Sequence, residues 1–380
     1  MSSTDKRVWI LGAGFSQPLG GPLLAQLFRL EPHGSCHSAF PANEFPQLGD
    51  TLYNLQTCYH WGRTEAGHWE DAEQFLAYVD DAYVGQDGIK QANLGEMLQR
   101  AWRSIDGSGP LLLSDQARAF LSRNLHVAAR RALAAQCSRF LLHRQPASEE
   151  TWLAFREWAE SLDPSVDAII SFNYDRVLEM LDPKETRFQV LLPSAALESA
   201  RVPVYKLHGS VDWVVDEKRL QRKNANDTLK SLETQIAIAP PGRSKSHFVA
   251  EHLEDLWGKA EALLSRAEVV LIVGYGFPKT DSNAKSRILK AIKSNQCLGH
   301  TRDIHIVLGP EVTNSSSQRV CALLQACTGG RRLIMVPASD PIGYLSHPAK
   351  LLRIKQHPLW SQDFLGDWPD RIRSIPAGHQ

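Results

Sequence analysis

Cysteine is scarce in this chain. Six cysteines are spread over 380 residues, no two of them form a C-x-x-C pair, and the nearest neighbours are Cys321 and Cys327. That spacing excludes a thiolate zinc ribbon of the usual kind. Free thiols in a reducing compartment account for so few cysteines, and a cytoplasmic location is the expectation. Neither sign of charge is in excess, since 42 Lys and Arg stand against 42 Asp and Glu. A surface built to grip nucleic acid or anionic membrane needs a basic surplus, so direct nucleic-acid binding is not expected. Long apolar runs are missing too: the longest, Val269 to Val273, falls far short of the ~20 residues a membrane-spanning helix needs. Met1 to Arg7 is polar and leads into an apolar strand without the apolar stretch of a signal peptide.

What the sequence does contain is a series of short β-branched runs that stop abruptly at Gly, Asn or His. Val8 to Leu11 precedes Gly12, Ala168 to Phe172 precedes Asn173, Val204 to Leu207 precedes His208, Val269 to Val273 precedes Gly274, and Ile304 to Leu308 precedes Gly309. Such runs read as buried parallel strands, and helical stretches separate most of them. The alternation predicts an α/β fold with a Rossmann-like doubly wound parallel sheet. Between about Pro32 and Pro164 the strand pattern lapses into aromatic-rich helical segments, so an inserted helical domain is expected. The reading divides the chain into a Rossmann unit of residues 1–31 and 165–337, a helical insertion of residues 32–164, and a C-terminal tail of residues 338–380. Trp360 and Trp368 make that tail a candidate oligomer or partner contact.

Right-handed crossovers would bring the strand ends to one rim, and their polar signatures with them. The first is Gly12-Ala13-Gly14-Phe15-Ser16, ahead of Pro22, which suits the first turn of a helix. Glycines there would admit a phosphate close to the backbone, or serve only a tight turn. A dinucleotide fingerprint wants a third glycine at position 17, where the residue is Gln17. The second signature is Asn173-Tyr174-Asp175, which could equally cap a helix. The third is His208-Gly209, a candidate base because imidazole titrates near neutrality. Gly274-Tyr275-Gly276 and Gly309 complete the set. His33, Cys36, His37, Cys58 and His60 match no familiar ligand spacing, and no metal site is expected.

In combination these signatures resemble the sirtuin superfamily, in particular the sirtuin-like NAD-hydrolase branch found in bacterial anti-phage defence. The resemblance covers roughly Val8 to Leu30 and Ala168 to Asn314. It implies that Gly12, Ala13, Gly14, Phe15 and Ser16 cradle the phosphates of NAD, that Asn173 and His208 are catalytic, and that Asp175 lines the pocket. Gly274, Tyr275, Gly276 and Gly309 would hold the remainder of the nucleotide. The sequence departs from sirtuin deacetylases in two places. The stretch from Asp216 to Gln235 has no cysteine where they carry a zinc module, and Leu23-Leu24-Ala25 follows Pro22 where they carry Asp-Phe-Arg.

The function this implies is NAD glycohydrolysis to nicotinamide and ADP-ribose, with NAD as substrate and no zinc, by a regulated effector of abortive infection. A homo-oligomer and a HerA-like hexameric ATPase partner are expected on the same ground. A non-catalytic NAD or ADP-ribose sensor is the alternative, and a protein deacylase a more distant one.

Overall fold

The computed structural model describes residues 6–23, 25–45, 48–106, 115–231, 235–279, 281–296, 302–310, 315–327, 334–337 and 352–373. Asn314, where the expected resemblance ends, lies outside them. Strand β1 (Arg7–Leu11) runs into a four-residue helix α1 (Ala13–Ser16) and one 3-10 turn. Five helices follow: α2 (His33–Ala39), α3 (Leu48–Thr64), α4 (Ala72–Tyr83), α5 (Gly88–Asp106) and α6 (Asp115–Arg139). Then come α7 (Leu153–Ser161), β2 (Asp167–Ser171), α8 (Val177–Leu181), β3 (Phe188–Val190) and β4 (Val202–Lys206). A second group comprises β5 (Gly209–Asp216), β6 (Arg219–Arg222), α9 (Ala225–Lys230) and β7 (Ile236–Ile238). Helices α10 (Arg243–Phe248) and α11 (Glu254–Leu264) lead to β8 (Val269–Val273), α12 (Ser282–Gln296), β9 (Arg302–Val307) and α13 (Ser315–Cys327). The chain closes with β10 (Ile334–Pro337), β11 (Leu352–His357), α14 (Ser361–Gly366) and α15 (Trp368–Arg373).

Eight strands form one sheet in the order β10-β11-β9-β8-β1-β2-β4-β3, and all of its pairings are parallel. This is the doubly wound sheet expected of the strand-helix alternation. Strand β1 is the hinge of the topology, with β2 in register on one side (Ile10 opposite Ile170) and β8 on the other (Ile10 opposite Ile272). From β1 the chain builds one half of the sheet, with β2 beside β1, β3 at the edge and β4 between them, then returns to build the other half from β8. Such a reversal opens a crevice at the carboxyl ends of the strands that flank it. A small antiparallel sheet, β6-β5-β7, branches from the end of β4.

The helical segment has a core of its own, in which Phe28, Phe40, Phe75 and Leu133 are buried together. Two boundaries differ from those read in the sequence. Helix α7 lies before Pro164 yet packs on the main sheet, because Phe155 and Trp158 bury against Trp9 and Phe15. Conversely Val211, Leu229, Ile236 and Ile238 of the small-sheet region join the helical core. Among the described residues no helix is long and apolar enough to cross a membrane.

The segment read as a tail supplies β11, which sits between β9 and β10. Its helix α15 closes the far side of β1. The Trp368 ring meets Trp9 edge to face at 5.0 Å, and its indole N–H donates to Ser161 Oγ at 2.9 Å. Trp9 in turn donates to Asp167 Oδ1 at 3.0 Å, and Arg7 grips the same carboxylate through two bonds of 2.8 and 2.6 Å. Trp368 is therefore a core residue, 3% exposed. Trp368→Ala should lower the unfolding free energy by about 3–5 kcal/mol, the range for buried aromatic truncations. Urea denaturation of the full chain measures it, and an unchanged midpoint would mean that the C-terminal segment is only an appendage.

Candidate active site

A cavity of about 570 Å³ opens at the carboxyl ends of the parallel strands. Strand ends supply its floor: Gly12, Ala13 and Gly14 after β1, Asn173 and Asp175 after β2, His208 after β4, Gly274, Tyr275 and Gly276 after β8, and Gly309 after β9. Ten of the twelve residues singled out in the sequence thus line one space. Phe15 and Ser16 do not line it. The Phe15 ring turns down between Phe155 and Trp158 and is 1% exposed, because helix α1 presents that face to the sheet.

The glycines of the first signature meet their counterpart after β8 at close range. Gly274 has φ +72, and a Cβ built there would lie 2.2 Å from Phe15 N; one on Gly12 would lie 2.6 Å from Gly274 O. Backbone bonds close the contact, from Gly12 N to Val273 O (3.0 Å) and from Gly14 N to Gly274 O (3.1 Å). Two N–H groups that the sequence offered to a phosphate are spent on this turn-to-turn contact. Helix α1 is only four residues long, and Pro22 lies beyond it in irregular backbone.

Ser16 anchors the catalytic candidates from below. Its hydroxyl donates to Asp175 Oδ2 at 2.6 Å and accepts from Asn173 Nδ2 at 2.9 Å. With the single hydroxyl proton committed to a carboxylate, the Ser16 oxygen can only accept, which fixes the Asn173 amide with its Oδ1 left for a ligand. Asp175 is engaged on both oxygens, since Oδ1 accepts from Val177 N at 3.1 Å. Burial pushes the Asp175 carboxyl above the usual range, against the pull of Ser16 and Lys206. Lys206 is itself buried and fully used, donating to Asp175 O (2.6 Å), Glu179 Oε1 (2.8 Å) and Ser210 Oγ (2.6 Å).

His208 occupies the corner between the two sheets. Leu207 N still bonds to Ser171 O on the main sheet at 3.0 Å, while His208 O accepts from Ala239 N beyond β7 at 2.9 Å. Gly209 makes the corner with φ +80, and a Cβ there would sit 2.0 Å from Ala237 O. The imidazole Nε2 lies 3.1 Å from Asp281 Oδ2, within ion-pairing range but outside the alignment a hydrogen bond requires. Asp281 Oδ1 holds Lys245 Nζ at 2.9 Å, and Tyr275 Oη donates to Oδ2 at 3.2 Å. Burial works against ionisation of Asp281, but His208 and Lys245 outweigh it and hold the carboxyl well below its ordinary value. Burial and the Lys245 ammonium together push His208 below the ordinary imidazole value, Asp281 opposing them. The lowered value favours the neutral imidazole, the form that could accept a proton.

Asp281 and Lys245 carried no recognisable signal beyond a charge near a Gly-Tyr-Gly turn and a charge in a polar run. The cavity wall also takes Glu73 from α4, Arg319 from α13 and Trp360 after β11. Glu73 lies in the first turn of α4. In the structure it is 5% exposed. Arg319 Nη2 donates to Gly276 O at 2.8 Å. Gly309, at φ +104, lies under Trp360, and Ser361 Oγ donates to the carbonyls of Gly14 and Phe15 at 3.1 and 3.0 Å. Among the described residues no group of three or more His, Cys, Asp and Glu side chains could hold a metal ion.

The sequence profile of a SIR2-like domain matches residues 167–326. This supports a sirtuin-like assignment for that part of the chain. A comparison with curated proteins gives no match. Among solved structures, Sir2Tm bound to a propionylated peptide is 12% identical with a TM-score of 0.36, over 97% of this chain and 94% of that one. A Sir2 with p53 peptide and NAD+ is 12% identical with a TM-score of 0.29, over 95% and 90%.

The buried acid gives a test with a definite sign. A carboxyl whose folded value is raised binds more protons folded than unfolded, so stability falls as pH rises from the ordinary Asp range through the raised value. Asp175→Asn keeps an acceptor for Ser16 and removes that loss. Thermal unfolding should therefore show the variant gaining on wild type as pH rises from 4 to 7, and a constant difference across that window would refute the buried-carboxylate assignment.

Proposed function

We propose that the cavity binds NAD and cleaves its nicotinamide–ribose bond. The observation that carries this reading is the meeting of Asn173 and His208 on one cavity wall, the first with its amide oriented by Ser16 and Asp175, the second held neutral beside Asp281. The SIR2-like match over residues 167–326 supports it independently.

In the reaction the bond from C1′ to the pyridinium nitrogen breaks, and its electron pair stays with the ring. Nicotinamide leaves neutral, so no general acid is needed. Positive charge passes to an oxocarbenium-like ribose, which water attacks at C1′. Asn173 Oδ1 would accept from that water or from a ribose hydroxyl and set its position. His208 takes the proton that is released, and Asp281 balances the imidazolium as it forms. Because Nε2 is near Asp281 without an aligned bond, a small ring rotation presents it to a hydroxyl in the cavity. The walls from Gly309 to Trp360 are on the opposite side of the β1 switch point from Asn173, where the adenosine half would extend.

The wider reading is a regulated NAD-depleting effector of anti-phage defence, acting in the cytoplasm as a homo-oligomer with a HerA-like ATPase. It rests on the motif resemblance. Regulation is in keeping with the chemistry, since unrestrained turnover would exhaust the cell's NAD.

Nicotinamide release from NAD, followed by chromatography, tests the assignment with the purified chain alone and with a candidate ATPase partner. Asn173→Ala and His208→Ala should each lower turnover by about 10²–10⁴-fold, the range for losing a positioned base or water-orienting group. Turnover by wild type should fall on acidification through a pH below the ordinary imidazole value, as His208 gains its proton. Binding of NAD without release under every condition would leave a sensor, and full turnover in both variants would move the site elsewhere.

A further inference from the structure

We propose that Asp80, in the helical unit, is a positioning residue for His208, acting through Ser244, Lys245 and Asp281. This deepens the reading of the cavity as a nucleotide-cleaving site and rests on it.

The link is a strap of backbone at the start of α10. Gly242 has φ +137, and a Cβ placed there would lie 2.5 Å from the Asp80 Cβ, so the strap passes α4 as closely as a bare backbone allows. Asp80 is 2% exposed. Its Oδ2 accepts from Ser244 N at 2.9 Å, and its Oδ1 takes the Ser244 hydroxyl together with His126 Nε2 at 3.0 Å. Arg243 adds an ion pair to Asp81 at 2.7 Å. Burial opposes the Asp80 charge, but His126 and the two Ser244 bonds outweigh it and hold the carboxyl below its ordinary value. The strap is thus tied to an ionised side chain of α4 and, through His126, to α6.

The next residue along is Lys245, and its ammonium sits on Asp281 Oδ1 at 2.9 Å. Asp281 Oδ2 faces His208 Nε2 at 3.1 Å. The path from α4 to the imidazole therefore runs through three contacts, Asp80 to Ser244, Lys245 to Asp281 and Asp281 to His208, joined by the peptide bond between Ser244 and Lys245. Titratable groups around His208 come from each neighbouring element: Asp281 and Tyr275 after β8, Tyr174 after β2, Lys245 on α10, and Glu73 at the start of α4, which acts on both tyrosines. Lys245 is the one cation among these groups. Held in place, it neutralises Asp281 and disfavours the imidazolium. Were the strap to slacken, the ammonium would withdraw, and Asp281 would face the imidazole uncompensated. His208 would then hold its proton to higher pH and fail as a base near neutrality. Whatever shifts α4 against α10 would consequently be read at His208.

The test titrates His208 directly, by NMR of the imidazole protons in the full-length chain, assigned by comparison with His208→Ala. Lys245→Gln and Asp80→Asn should raise the His208 midpoint by about one unit, the scale of removing a cation within a few ångströms. Ser244→Ala should move it the same way by less, and the acid limb of nicotinamide release should follow in each variant. If Lys245→Gln shifts the midpoint while folded Asp80→Asn and Ser244→Ala leave it at the wild-type value, the proposal is overturned. Should Asp80→Asn fail to fold, Ser244→Ala decides alone. Absence of shift in all three variants overturns it too. The titration needs no substrate, so wild type that releases no nicotinamide yet shows these shifts would refute the cleavage reading and leave the linkage standing.

Discussion

Everything at the site depends on how closely the turn after β1 approaches the turn after β8. Gly12 and Gly14 on one side and Gly274 on the other leave no room for a Cβ, and two backbone hydrogen bonds close the gap. This contact lies where the strand order reverses, so it joins the two halves of the sheet at their shared crevice. Any side chain inserted here would push β8 from β1 and carry Tyr275 and Asp281 with it. Tyr275 stacks on Phe172 at 4.1 Å, so the displacement would reach the β2 turn as well. The glycines therefore act first as a joint between turns. They also keep the cavity floor bare of side chains.

Above that joint two buried charge networks divide the work. One runs from Lys206 through Asp175 and Ser16 to Asn173, the other from Lys245 through Asp281 to His208. Each places a cation near a carboxylate that would otherwise be costly to bury, and each ends on one of the two catalytic candidates. The pairing also separates their chemistry. Asn173 is fixed by a hydrogen bond and carries no charge, whereas His208 sits between opposing charges that together decide whether it carries a proton.

The strands and the rim were legible in the sequence because both are local. Val269 to Val273 is apolar throughout and stops at a glycine, which reads as a buried strand without knowledge of its neighbours. Asn173, His208 and Gly274 were found in the same way, as polar or glycine residues at strand ends. Phe15 and Ser16 belong to that motif too, yet they lie outside the cavity, since a motif does not tell which face of a four-residue helix points inward. Asp281, Lys245 and Asp80 were not legible as site residues. Their meaning comes from contacts between segments remote in sequence, and a lone Asp or Lys in a polar run has no periodicity to mark it. The strand β11 escaped for a related reason: Leu352 to His357 alternates apolar with charged and polar residues, and a pattern so mixed does not announce a place between two parallel strands.

That late strand changes how the chain's end relates to the site. Because β11 pairs with β9 through His357 and Val307, the segment after it emerges at the same rim as Gly309. Trp360 then covers Gly309, and Ser361 reaches the carbonyls of Gly14 and Phe15. The last part of the chain thus braces the first turn of the fold, and the buried His305–His357 contact, with ring nitrogens 3.0 Å apart, ties that brace to the sheet. Trp360 remains 40% exposed at the cavity edge, a position in which an aromatic ring can meet a planar ligand from the solvent side. The helical unit reaches the same space from across the crevice through Glu73 and, by way of the strap, through Asp80. A cavity whose floor belongs to the sheet is therefore walled by two segments that the strand pattern alone would have set apart from it.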